Sequence, residues 1–282
     1  KTVYPVASCN DKDFQNLMHV YLDAVFYPNI YQEKKIFMQE GWHYEMEDLD
    51  SPLTYNGVVY NEMKGAFSSP DEVNDREMMN SLFPDTIYGV ESGGDPKVIS
   101  ELTYEQFLDF HRRYYHPSNS YIYLYGNMDM AEKLEWIDEH YLSKFDRLEI
   151  DSTIKMQKAF DKPVTIHKEY PIMEGESLDN NTYLSYNIVV GTALDKELCF
   201  AMQILENALG SASAAPLKLA LIHKNIGTEV YTEYSNGIYQ PIFSIVAKNA
   251  NENQKDEFVA TIEDELKRLV KEGIDKKSLL AG

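Results

Sequence analysis

Thr228-Glu229-Val230-Tyr231-Thr232-Glu233-Tyr234, followed after a short connection by Tyr239-Gln240-Pro241-Ile242-Phe243-Ser244-Ile245-Val246-Ala247-Lys248, decides the fold class. Both stretches are rich in β-branched and aromatic residues and read as strands. They follow one another directly, with no crossover helix between them, so they form a hairpin-like antiparallel pair and not a βαβ unit. Working outward, a strand is expected over 182–191 and another over 164–170, with helices over 196–209, 216–224 and 254–271. Such a mixture predicts an α+β architecture, mostly antiparallel sheet with helices packed on it.

The amino-terminal half is more helical. Phe14, Leu17, Met18, Tyr21, Leu22 and Val25 recur at spacings of three and four, which predicts an amphipathic helix over 10–27. Asn10 or Asp11 can cap it, and Pro28 stops it. A short helix over 31–40 ends at Gly41, and Trp42–Met46 is strand-like. Residues 57–67 read as a helix that Ser69-Pro70 interrupts, and a second helix runs over 71–82. Thr103 and Gln106 have capping-box spacing and open a helix that His116-Pro117-Ser118-Asn119 ends. In Ser120–Gly126, Tyr121, Tyr123 and Tyr125 alternate with Ile122 and Leu124, the pattern of a strand. A helix follows over 131–145. Residues 146–163 lose periodicity, and 151–163 form the expected linker between a first lobe, 1–150, and a second, 164–282.

The chain has 282 residues, 44% hydrophobic and 26% charged, enough for a packed core in two modest domains. Its net charge of −20 excludes a nucleic-acid binder and disfavours an anionic membrane surface. Such a charge either favours basic peptides over acidic ones or serves only to keep the protein soluble. Cys9 and Cys199 are the two cysteines, too few for a disulfide framework, and reduced thiols in a cytoplasmic-type compartment are expected. No apolar run is long enough to span a membrane. Thr2–Ala7 reads as a strand at one end, and a helix starts near Asp275 at the other, so an internal piece of a longer protein is expected.

Glu62 is the candidate for chemistry. On a helix its neighbours three and four positions away are Val58, Val59, Gly65 and Ala66. A carboxylate buried on such a face needs a partner or a metal; one at the edge of the face points to water. The histidines add no local partner. His111 and His116 are five apart, and no HExxH or HxxEH occurs.

Gly57-Val58-Val59-Tyr60-Asn61-Glu62-Met63-Lys64-Gly65-Ala66-Phe67, then Tyr88–Pro96 with Leu102–Phe107, then Phe110–Asn119 with Tyr125-Gly126-Asn127, stand in this order along the chain. Together they resemble the presequence-protease branch of the insulinase (inverzincin) family of zinc metallopeptidases. The resemblance is strong over 1–150 and looser over 160–282. It implies insulinase-like (mitochondrial processing peptidase-like) lobes, which pair into bowl-shaped halves around a closed chamber for short unfolded peptides. It implies zinc held by two histidines of an HxxEH helix and by a distal Glu, which falls on Glu62. The Glu inside that motif serves as base for water attack on the peptide carbonyl.

The resemblance also sets what this chain lacks. The HxxEH helix belongs several tens of residues before the distal Glu and is absent, so no catalytic residue is expected in this chain. Zinc would be held poorly, if at all, by these residues alone. The partners implied are peptide substrates and the remaining parts of the same polypeptide. The location implied is the cytoplasm, or the mitochondrial matrix in a eukaryote. Gln203-Ile204-Leu205-Glu206-Asn207 keeps the HxxEH frame with Gln and Asn at the imidazole positions. It reads either as a degenerate counterpart of the missing helix or as an ordinary amphipathic one. A non-catalytic peptide-binding or assembly lobe of the same fold is the alternative function.

Overall fold

The computed structural model describes residues 2–212 and 214–281. In chain order its elements are α1 (Asp11–Phe26), α2 (Lys34–Glu40), β1 (His43–Glu45), β2 (Thr54–Asn56), α3 (Val58–Ala66), α4 (Pro70–Leu82), α5 (Pro96–Ile99), α6 (Tyr104–Tyr114) and α7 (Met130–His140). They continue with β3 (Thr182–Val189), α8 (Lys196–Glu206), α9 (Pro216–His223), β4 (Glu229–Ser235), β5 (Ile242–Ala250), α10 (Lys255–Glu272) and α11 (Lys276–Ala281). The architecture is α+β, as the hairpin reading requires. Two units can be distinguished. The first comprises residues 1–65 and 93–153, and the second residues 66–92 and 154–282. Residues 66–92 thus group with the second unit, whereas the sequence boundary at 151–163 assigns them to the first lobe.

The second unit is built on β5. The sheet order is β3-β5-β4, antiparallel throughout, so β5 is paired along both edges. Phe243, Ile245 and Ala247 on one face of β5 join Val230, Leu217, Leu221, Phe258 and Ile262 in one core cluster. Each of these larger side chains contributes roughly 1.5–3 kcal/mol by leaving water. The other face of β5 presents Ile242, Ser244 and Val246, and there Ser244 Oγ lies 3.3 Å from Met78 Sδ of α4. At the end of α8 the helix widens into a π-turn, Asn207–Ser211. Gly210 in this turn approaches Thr232 so closely that a Cβ there would lie 2.0 Å from the threonine side chain. No larger residue fits without moving β4.

Two glutamines that sequence reasoning did not flag hold the pieces of this unit together. Gln157 N–H donates to Gln240 Oε1 at 2.6 Å, and Gln240 Nε2 donates back to the Gln157 carbonyl at 3.2 Å. The Gln157 side chain repeats the exchange with Asp85, accepting from Asp85 N–H at 2.9 Å and donating to Asp85 Oδ2 at 2.8 Å. Gln157 and Gln240 are 6% and 7% exposed, so the two bonds between them replace water that cannot reach them, while Asp85 stays exposed at the rim. The expected linker therefore has a fixed point inside it, although residues 151–163 carry no helix or strand.

The first unit packs helices around aromatic side chains. Asn10 Oδ1 caps α1 by accepting from Asp13 N–H, and Thr103 and Gln106 form the expected capping box on α6. His111 of α6 uses both ring nitrogens. Nε2 donates to the Val25 carbonyl at 2.9 Å, which leaves Nδ1 to accept from the Tyr31 hydroxyl at 2.7 Å. Burial holds its pKa below the ordinary histidine value, because the charged ring loses hydration there. Tyr141, buried, bonds through its hydroxyl to His19 Nδ1 and to the His19 carbonyl.

Three segments expected as strands do not form them. Residues 2–7, 120–126 and 164–170 carry no regular secondary structure. Alternation is present in 120–126, but no other described strand accepts or donates along it, and a strand exists only as part of a ladder. Conversely, β2 was not anticipated. It is three residues long and pairs antiparallel with β1, with Tyr44 opposite Tyr55. A three-residue strand is too short to show a period. The other expected elements occur with ends displaced by a few residues, as at α2, where the turn over 29–31 is a separate 3-10 segment.

Replacing Gln240 by Ala strips the buried Gln157 amide and carbonyl of their partners. Urea unfolding should show a loss of about 1–3 kcal/mol. His111 supplies a second test. Its folded pKa is depressed relative to the unfolded chain, so its neutral form stabilises the fold above about pH 6.5, and acid removes that contribution as pH falls below this value. A His111→Phe variant should lose less stability than the parent chain between pH 7.5 and pH 5.5 in thermal melts.

Candidate functional site

Glu62 projects from α3, and the elements before it fix where that helix starts. The β1–β2 hairpin leads through Asn56-Gly57 directly into α3. Asn56 Oδ1 accepts from Gly57 N–H and from Asn61 Nδ2, both at 2.7 Å, and Asn56 Nδ2 donates to Glu45 Oε2 at 2.6 Å. One asparagine thus ties β1, β2 and the first turn of α3 together. Gly57 has φ +152, and a Cβ on it would lie 2.3 Å from the Gly41 carbonyl oxygen. Only glycine fits this approach. The helix continues the contact, with Tyr60 N–H donating to the same Gly41 carbonyl at 3.3 Å.

An aromatic group frames the hairpin. Trp42 stands edge-on to Tyr44 at 5.5 Å and to Tyr55 at 5.9 Å, and Tyr55 lies 5.8 Å from Tyr60. Trp42 Nε1 donates to the Leu102 carbonyl at 2.9 Å, which satisfies its one polar atom. Sequence reasoning missed Asn56 and Glu45. The Asn-Gly pair before the helix is the local signal for them, since such a pair marks a turn whose side chain bonds nearby backbone.

Glu62 itself is exposed, while its neighbour Met63 is buried. Of the two alternatives left open by its spacing, the structure shows the carboxylate at the edge of the face and facing water; Val58 on that face is exposed as well. Its burial therefore has no cost to be offset. No group of three His, Cys, Asp or Glu side chains able to hold a metal occurs among the described residues. His111 is engaged by Val25 and Tyr31, His116 Nδ1 accepts from Ser118 N–H, and His43 Nδ1 bonds to the Met38 carbonyl. The residues present can offer a zinc ion one carboxylate and do not by themselves make a zinc site.

The Gln203–Asn207 frame lies at the carboxyl end of α8 and packs beside β4. Glu206 is occupied structurally. Its Oε1 accepts from Thr232 Oγ1 at 3.0 Å and from Ser211 Oγ. Gln203 is exposed. In this arrangement the frame anchors the π-turn to the sheet and presents no pair of ligands.

A shallow groove of about 200 Å³ lies in the second unit, between α4 and the sheet, lined by Asn74, Asp75, Met78, Tyr231 and Glu233 among others. Burial, with Glu233 nearby, raises the Asp75 pKa. No helix among the described residues is long and apolar enough to cross a membrane.

The family described as "Peptidase M16 inactive domain" matches residues 101–281. Protein HypA of Clostridium perfringens is 52% identical over 281 residues, covering all of this chain and 29% of that protein. Presequence protease 1, chloroplastic/mitochondrial, of Arabidopsis thaliana is 40% identical over all of this chain and 26% of its own length. The chain thus spans under a third of the curated relatives it matches. Among solved structures, the peptidase M16 inactive domain from Pseudomonas fluorescens shares the fold with a TM-score of 0.60 at 21% identity, covering 78% of this chain and 52% of that one. The family match over 101–281 and relatives aligned along the whole chain agree with the order of motifs around Glu62, and the chain belongs to the M16, insulinase-type peptidase family, on its presequence-protease branch.

Proposed function

We propose that these 282 residues are part of a zinc-dependent endopeptidase that degrades short unfolded peptides in a closed chamber, and that Glu62 is the distal zinc ligand of the full-length protein. The observation that carries the reading is the state of Glu62. Its carboxylate is exposed and unengaged among the described residues, on a helix whose start is fixed by Asn56 and Gly57. Asn56 and Gly57 fix the backbone of the helix from which Glu62 projects, and a ligand needs a backbone held in place. The imidazole ligands and the water-activating Glu would come from sequence outside these residues, and zinc would supply Lewis-acid activation of water. The names of the presequence proteases support a peptide substrate. The charge of −20 favours basic peptides. The compartment proposed is the cytoplasm, or the matrix in a eukaryote.

The match to an inactive domain over residues 101–281 favours a second role for that part of the chain: a non-catalytic lobe that shapes the chamber and binds or positions peptide. Residues 164–282 are the beginning of that lobe in this reading.

In the full-length protein, Glu62→Gln should lower zinc content and peptide turnover by orders of magnitude at unchanged melting temperature. Metal analysis together with a peptide-cleavage assay measures both, and normal zinc content would remove Glu62 from the ligand set. Gly57→Ala should behave differently, lowering zinc content and thermal stability together, because it moves the whole helix. The 282-residue chain alone should show no chelator-sensitive peptide cleavage.

A further inference from the structure

Asparagine followed by glycine occurs twice in this chain, at Asn56-Gly57 and at Asn236-Gly237. Such a pair has a chemistry of its own. The backbone nitrogen of the glycine can attack the side-chain carbonyl of the asparagine, because no Cβ on the glycine stands in the way. Ring closure needs a glycine N–H free to lose its proton and an asparagine free to turn about its own bonds. The two pairs have the same sequence, so only their surroundings distinguish them.

The first pair is held from several directions. Asn56 is the last residue of β2, opposite His43, and α3 begins directly after Gly57. Asn56 Oδ1 accepts from Gly57 N–H and from Asn61 Nδ2, both at 2.7 Å, and Asn56 Nδ2 donates to Glu45 Oε2 at 2.6 Å. Both ends of the side-chain amide are occupied, and the glycine N–H is engaged. Turning the amide would break the junction of hairpin and helix.

The second pair lies in the loop that joins β4 to β5. Strand pairing stops at Ser235, opposite Ile242. The bonds that hold the loop begin only at Tyr239. Its N–H donates to the Tyr88 hydroxyl at 3.0 Å, and its carbonyl accepts from Ala193 N–H at 2.9 Å. Asn236 and Gly237 are both exposed, and among the described residues neither makes a hydrogen bond. A Cβ added to Gly237 would meet no described atom within 4 Å.

We propose that Asn236 is a site of spontaneous deamidation in the folded protein and that Asn56 is protected from it. The Gly237 nitrogen gives its proton to solvent and bonds to Asn236 Cγ. The Cγ–Nδ2 bond breaks, and the nitrogen leaves as ammonia after taking a proton from water. Water then opens the succinimide at either carbonyl, which leaves aspartate or isoaspartate at position 236. Either product adds a negative charge to the loop. The isoaspartate form also lengthens the backbone by a methylene shortly before buried Gln240. The inference does not use the metal assignment at Glu62.

The test is incubation of the full-length protein at mildly alkaline pH, followed by peptide mapping with mass spectrometry. In the folded protein Asn236 should convert at least about tenfold faster than Asn56, to a mixture of aspartate and isoaspartate. In guanidinium, where neither pair is held, the two should convert at comparable rates. Gly237→Ala should slow conversion at 236 at least about tenfold at unchanged melting temperature, since the loop has room for the methyl group. Equal rates at the two pairs in the folded protein, or no conversion at 236, would overturn the proposal. Aspartate without isoaspartate would overturn the cyclic route.

Discussion

β5 carries the second unit because its backbone is hydrogen-bonded along both edges and both its faces are covered. Pairing of N–H and C=O groups is the constraint that decides which apolar stretches become strands, since an unpaired buried amide costs more than a paired one gains. With β3 and β4 in register, Phe243, Ile245 and Ala247 can enter the helical core while Ile242, Ser244 and Val246 turn toward α4. Everything else in the unit follows from that division: α9 and α10 bury their apolar stripes on one side, and α4 closes the other.

The same constraint explains where the sequence was legible and where it was not. Helices were legible because their evidence is local. Asn10, Thr103 and Gln106 announce starts through bonds made within one turn, and these bonds are formed. The hairpin of β4 and β5 was legible because its two strands adjoin in sequence. Residues 120–126 have an equally clear alternation, yet they form no strand, because a strand depends on a partner that the alternation does not specify. The Gln157–Gln240 exchange lies at the far end of this scale, joining residues 83 apart that have no periodic relation.

The candidate site residue shows a similar split. Glu62 was singled out by its place on a helix and by the motifs around it, and α3 forms where expected. Its exposure was not legible, because spacing of three and four leaves the edge of a face undetermined. The residues that set its position, Asn56 and Gly57, act through a carbonyl at Gly41 and a carboxylate at Glu45, contacts created only when β1 and β2 pair. A candidate ligand can therefore be singled out from a motif while the framework that positions its helix stays hidden in the turn before it.

The bonds among Asp85, Gln157 and Gln240 have a consequence for synthesis. The second unit is interrupted in sequence by residues 93–153, which belong to the other unit. Helix α4 leaves the ribosome long before the sheet exists to receive it, since about 100 further residues are made before β3 begins and more before β5. Closure of this unit is thus a late, long-range event whose loop entropy must be overcome before any of its contacts reward it. Until β3 and then β5 emerge, the nascent chain holds α4 without the sheet that covers it, a natural target for a chaperone.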